Sequence, residues 1–238
     1  MQDPAPAAAS SDATAPDTFA DPSADPYADS LRAAHDPYPA APRDVRLCVV
    51  GDSYVTGYGD PKALGWVGRV AARTPHDQID LTVHNLGIRG DSSAGVLARW
   101  REETGRRWHD GADNRLVVSV GAGDVAQGIS LARSRLNLAN VVDEAITSRL
   151  RPLVVGSPPW LDPAVNERLE VVVEAQRDVC ERRGVTYVDC FTPLRAHEQW
   201  YADLGAGDGV HPGQAGYGLL AWLVLHSGWA TWLGLDAA

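Results

Sequence analysis

Five short β-rich runs, set apart by stretches with helical patterning, most constrain what this chain can fold into. They are 45–50, 81–86, 116–120, 153–156 and 185–188, dominated by Val and Leu. Runs so short and so nearly continuous in β-branched residues suit strands covered on both faces. The intervening stretches read as helices over roughly 65–73, 91–103, 131–149, 163–183 and 213–225. The fourth of these carries Asp162 as its N-cap and Pro163 in its first turn. Strand–helix alternation predicts a parallel sheet with helices on both faces. In such folds chemistry gathers beyond the carboxyl ends of the strands.

Residues 1–44 differ from the rest. They are rich in Ala, Pro, Asp and Ser, and eight Asp against two Arg put −6 of the chain's net charge of −10 there. Such a segment buries too little apolar surface to offset its ordering entropy, so it is expected to be a disordered tail, with one short helical turn over 28–35. The folded domain is expected to occupy 45–238. The acidic balance argues against nucleic acid or an anionic membrane surface as partner. No apolar stretch is long enough for a membrane span, and the first residues carry neither the basic nor the apolar part of a signal peptide, so the expected location is cytoplasmic. The three cysteines, Cys48, Cys180 and Cys190, form no disulfide framework and no zinc-ligand spacing. No metal or cofactor is expected, and oligomeric state is not legible.

The strand ends carry the chemistry. The first run enters Gly51-Asp52-Ser53-Tyr54-Val55-Thr56-Gly57, a glycine-rich turn that holds a serine at the sheet edge. Ser53 here is either a nucleophile or a helix cap. The second run ends in Asn85-Leu86-Gly87-Ile88-Arg89-Gly90-Asp91-Ser92, where free backbone N–H groups before a helix suit a developing oxyanion. An ordinary turn capped by Asp91 or Ser92 fits equally. The third run ends in Gly121-Ala122-Gly123-Asp124. Near the C-terminus stands Asp208-Gly209-Val210-His211-Pro212. This spacing lets Asp208 accept a hydrogen bond from one imidazole nitrogen while the other faces a serine, which needs such a base at neutral pH. The other reading is a surface loop histidine. The tryptophans at 222, 229 and 232 either pack a helix face on the sheet or form a groove.

The order Gly-Asp-Ser, Asn-x-Gly-x-x-Gly-Asp-Ser, Gly-x-Gly-Asp and Asp-x-x-His-Pro resembles the SGNH (GDSL-type) serine hydrolases over residues 45–230. The resemblance implies a flavodoxin-like three-layer α/β/α sandwich around a central parallel sheet of about five strands. It implies a cofactor-free esterase or acylhydrolase acting on a small-molecule ester. Carried over by position, Ser53 is the nucleophile and, through its N–H, an oxyanion donor. Gly90 is a second donor, His211 the base, Asp208 its partner and Asp52 a support for the turn. The family's asparagine donor in the third block is replaced by Gly123. Losing one such donor typically costs about 10²–10³ in rate. Either the enzyme is slow, in which case Gly123→Asn is expected to raise turnover, or Gly123 itself, Asn85 or Gln127 is expected to serve in its place. Two other outcomes fit the same blocks: an acyltransferase using the same acyl-enzyme, and a non-catalytic binding module.

Overall fold

The computed structural model describes residues 42–75 and 77–235. The expected tail, through residue 41, lies outside the described residues. Five strands form one parallel sheet: β1 Arg43–Gly51, β2 Ile79–Gly87, β3 Asp113–Ser119, β4 Arg151–Val155 and β5 Thr186–Val188. Their spatial order is β2-β1-β3-β4-β5, the flavodoxin-like order. Each expected run is a strand. The first begins at Arg43, because Arg43 and Asp44 still pair with Ile79 and Asp80.

Side-chain alternation along β1 divides the core into two layers. Val45, Leu47 and Val49 face one apolar cluster, whereas Cys48 and Val50 face the other. Each fully buried Val or Leu contributes roughly 1.5–3 kcal/mol relative to exposure. A one-residue slip of register would exchange these faces, so the pattern fixes the pairing. The first layer contains α2 (Gly65–Arg73), α8 (Glu198–Gly205), α9 (Gln214–Val224) and α10 (Ala230–Leu233). The second contains α3 (Ser93–Gly105), α5 (Leu131–Thr147) and α6 (Pro163–Glu181). The long helices start at side-chain caps: Ser92 accepts from Gly95 N–H, Ser130 from Arg133 N–H and Asp162 from Ala164 N–H. Each cap typically contributes about 1 kcal/mol.

Among the described residues, five short helices were not expected from the sequence: α1 (Ser53–Thr56), α4 (Ala122–Gln127), α7 (Phe191–Leu194), α8 and α10. They hold too few turns to show a 3.6-residue period. Trp229 and Trp232 are buried in the core while Trp222 is exposed, so the three do not form a groove. Among the described residues no helix is long and apolar enough to cross a membrane.

In this strand order the chain reverses direction between β1 and β3, and ligands in such sheets bind beyond the carboxyl ends there. The loops leaving β1, β2 and β3 carry Ser53, Gly90 and Gly123. The fold therefore brings the three sequence blocks to one edge.

Candidate active site

A cavity of about 590 Å³ opens at that edge, and Ser53, Gly90, Gly123 and His211 line it. Ser53 is the first residue of α1. The buried Asp52 caps that helix by accepting from Tyr54 N–H at 2.9 Å. This cap sets the turn that lifts Ser53 off the end of β1.

His211 reaches the same point from the loop before α9. Its Nε2 lies 2.8 Å from Ser53 Oγ, and its Nδ1 lies 2.7 Å from Asp208 Oδ2. Asp208 Oδ1 also accepts from the N–H groups of Val210 (2.9 Å) and His211 (2.7 Å). Burial pulls the Asp208 carboxyl upward, but these donors outweigh it and hold the group down at about 2. Asp208 is thus an anion at neutral pH and takes a proton-bearing Nδ1. That choice leaves the Nε2 lone pair facing the Ser53 hydroxyl, which donates to it. Ser53 and the Asp208–His211 pair, far apart in sequence, form one hydrogen-bonded line.

The sequence pattern of the GDSL-like lipase/acylhydrolase family matches residues 49–219, most of the described chain. The chain belongs to this family. It is 29% identical over 171 residues to the esterase TesA of Pseudomonas aeruginosa, covering 71% of this chain and 80% of that protein. A lipolytic G-D-S-L family member from Veillonella parvula superimposes with a TM-score of 0.65 at 21% identity, over 76% of this chain and 96% of its own. The acetylxylan esterase Axe2 of Geobacillus stearothermophilus gives 0.65 at 19% identity, over 80% and 94%. Both structures share the three-layer sandwich.

Backbone N–H groups at this cavity are free to donate hydrogen bonds. Among the described residues, the N–H groups of Ser53 and Gly90 have no acceptor, and both residues line the cavity. Gly90 adopts φ +74, a conformation that L side chains rarely take, and its carbonyl accepts from Gln127 Nε2 at 2.7 Å. Gln127 therefore steadies the Gly90 loop and is not itself a donor to the cavity. Asn85 is likewise spent elsewhere. Its Nδ2 donates to the Val55 carbonyl at 2.6 Å and its Oδ1 accepts from Gly87 N–H at 3.1 Å. The expectation that Asn85 replaces the missing asparagine fails because local backbone groups claim both ends of its amide. The Gly123 N–H favours the charged form of the Asp52 carboxyl.

Several residues that the sequence did not single out hold this arrangement. Arg99 donates to Asp91 Oδ2, Leu86 O and Gly51 O at 2.8, 2.9 and 3.0 Å, tying the ends of β1 and β2 to the Gly90 loop. Asp124, fully buried, accepts from Ser93 N–H at 2.7 Å and from the Ser134 hydroxyl, fixing the third block against α3 and α5. Tyr54 donates its hydroxyl to Val210 O at 2.6 Å and so anchors the His211 loop. Tyr58 sets its ring edge-on to His211, with centroids 4.8 Å apart. Ser92, in the second Gly-Asp-Ser triplet, is the cap of α3. Among the described residues, no three His, Cys, Asp or Glu side chains converge as metal ligands.

Proposed function

We propose that this chain hydrolyses small carboxylic esters through an acyl-enzyme on Ser53. His211 accepts the Ser53 proton as Oγ attacks the ester carbonyl. The tetrahedral oxyanion is met by the N–H groups of Ser53 and Gly90. His211 then gives the proton to the leaving alcohol. In the second half a water molecule loses its proton to His211, attacks the acyl carbonyl and releases the acid. Asp208 holds the imidazole tautomer and balances the imidazolium charge.

The observation that carries this reading is the 2.8 Å approach of His211 Nε2 to Ser53 Oγ with Asp208 2.7 Å behind it. A hydroxyl that merely caps a helix needs no imidazole. Family membership and the esterase names of the relatives point the same way. The cavity walls favour an apolar acyl chain, since Ala122, Ala126, Trp160 and Val210 surround the reacting atoms. The site is open to solvent on the Asp208 side, where that side chain is 49% exposed, which gives water access to the acyl-enzyme.

The test is turnover of 4-nitrophenyl esters of increasing acyl length, with products identified with and without an added alcohol. Free acid as the main product in both cases supports hydrolysis. Transfer of most of the acyl group to the alcohol would replace it with an acyltransferase.

A further inference from the structure

Among the described residues, Arg89 is the one arginine or lysine lining the cavity that holds Ser53 and His211. It sits between Ile88 and Gly90 on the loop after β2, and it is exposed. Most arginines near this edge are consumed by carboxylates: Arg99 by Asp91 and Glu103, and Arg69 by Asp60. Arg89 forms no ion pair with any Asp or Glu among the described residues. Its guanidinium lies instead 3.5 Å from the centroid of the Tyr58 ring. Tyr58 in turn stands edge-on to His211. A long side chain on an open loop normally samples many rotamers. Here a cation–π contact restrains it beside the reacting groups and leaves its hydrogen-bonding fork unspent.

The carboxylates of the site and of its loops are held by other partners. Asp91 is held by Arg99, and Asp208 is held by His211 and two backbone N–H groups. Asp52, at the cavity floor, is 3% exposed and already accepts from Tyr54 N–H. An unspent guanidinium in a water-accessible cavity matches the planar, two-oxygen face of an oxyacid group.

We propose that Arg89 determines specificity by receiving an oxyanion group, a carboxylate or a phosphate, carried by the ester substrate away from the scissile bond. This inference rests on the esterase reading of the same site. It names the substrate class as anionic esters.

The test uses three esters with one leaving group: 4-nitrophenyl hexanoate, the mono-4-nitrophenyl ester of adipate, and 4-nitrophenyl 6-(phosphonooxy)hexanoate. The wild-type protein should prefer one or both anionic esters, and the better of the two identifies the group. In Arg89→Gln the ratio of anionic to neutral kcat/KM should fall about tenfold or more, chiefly through KM. Arg89→Lys should keep part of the preference, and added salt should erode it. A binding measurement independent of turnover accompanies this. Ser53→Ala should bind monomethyl adipate more tightly than dimethyl adipate, and adding Arg89→Gln should abolish the difference. No charge preference in the wild type, or an equal fall for all three esters in Arg89→Gln, would overturn the inference. The second result would mean that Arg89 acts only on His211 through Tyr58. Charge-selective binding without turnover of any ester would instead sink the esterase reading and leave the Arg89 assignment standing.

Discussion

The carbonyl oxygen of Asp91 occupies the space beside Gly123: a β-carbon built on Gly123 would lie 1.8 Å from it. The loops after β2 and β3 therefore meet backbone to backbone, and no side chain fits at position 123 unless one of them moves. The sequence alone suggested that an asparagine there restores a lost oxyanion donor and raises turnover. The geometry reverses that expectation. Gly123→Asn should displace the Asp91 segment, and with it the Gly90 N–H. Overpacking of this kind costs about 1–3 kcal/mol, a fall in Tm of roughly 2–12 °C for a domain of this size. Thermal unfolding and kcat/KM on one ester check it. An unchanged Tm with faster turnover would show that the two loops separate freely.

Asp52 gives a pH prediction. Burial, only partly opposed by the N–H groups of Tyr54 and Gly123, pushes its carboxyl up to about 7. The unfolded value is about 3.9. Between these values the native state binds the proton that the unfolded state has released. This contribution to stability is complete below pH ~4 and is lost as pH rises through about 7. Asp208 and Asp60 are both held at about 2, so their contributions vanish only as pH falls below ~4, a separate window. Asp52→Asn should flatten the decline in Tm between pH 5 and 8. Parallel Tm profiles for the two proteins would contradict the burial argument.

His211 and Asp208 should not be equivalent in mutation. Removing the base leaves Ser53 with no proton acceptor, whereas removing Asp208 leaves an imidazole that solvent can partly orient, because the carboxylate site is half exposed. By analogy with serine hydrolase triads, His211→Ala should lower kcat by about 10⁶ and Asp208→Ala by about 10⁴. Steady-state kinetics on an activated ester reads both. A larger loss for Asp208→Ala would mean that its main task is holding the 208–211 loop through the Val210 and His211 N–H groups.

Tyr54 anchors that loop from the far side, with its hydroxyl on Val210 O. Tyr54→Phe keeps the ring and removes one hydrogen bond, worth about 0.5–1.5 kcal/mol. A two- to tenfold lower kcat with little change in KM is expected. A pure KM effect would place Tyr54 in substrate binding instead.

How much of this was legible in sequence depends on the range of each interaction. The strands were legible because burial on both faces writes itself into local runs such as Leu47-Cys48-Val49-Val50. The glycine turn after β1 marked Ser53 and the glycines before α9 marked His211 as candidates, and the order of the blocks, through the family resemblance, joined them. The Asp208–His211 hydrogen bond spans three residues, so spacing alone suggested it. The Asp91–Gly123 contact and the Arg89–Tyr58–His211 contacts join different loops, and no local pattern records them. Asn85 misled for a related reason. Its amide has the right chemistry for a donor, but the sequence does not show that the Val55 carbonyl and the Gly87 N–H claim it.

Catalysis as proposed requires Ser53 to be an activated nucleophile despite the glycine at position 123. The direct measurement is labelling of the folded protein with a fluorescent fluorophosphonate, followed by peptide mass analysis of the modified residue. One stoichiometric adduct is expected, on Ser53, absent in Ser53→Ala and strongly slowed in His211→Ala. A folded wild-type protein that takes up no label, or takes it up on another residue, would contradict it.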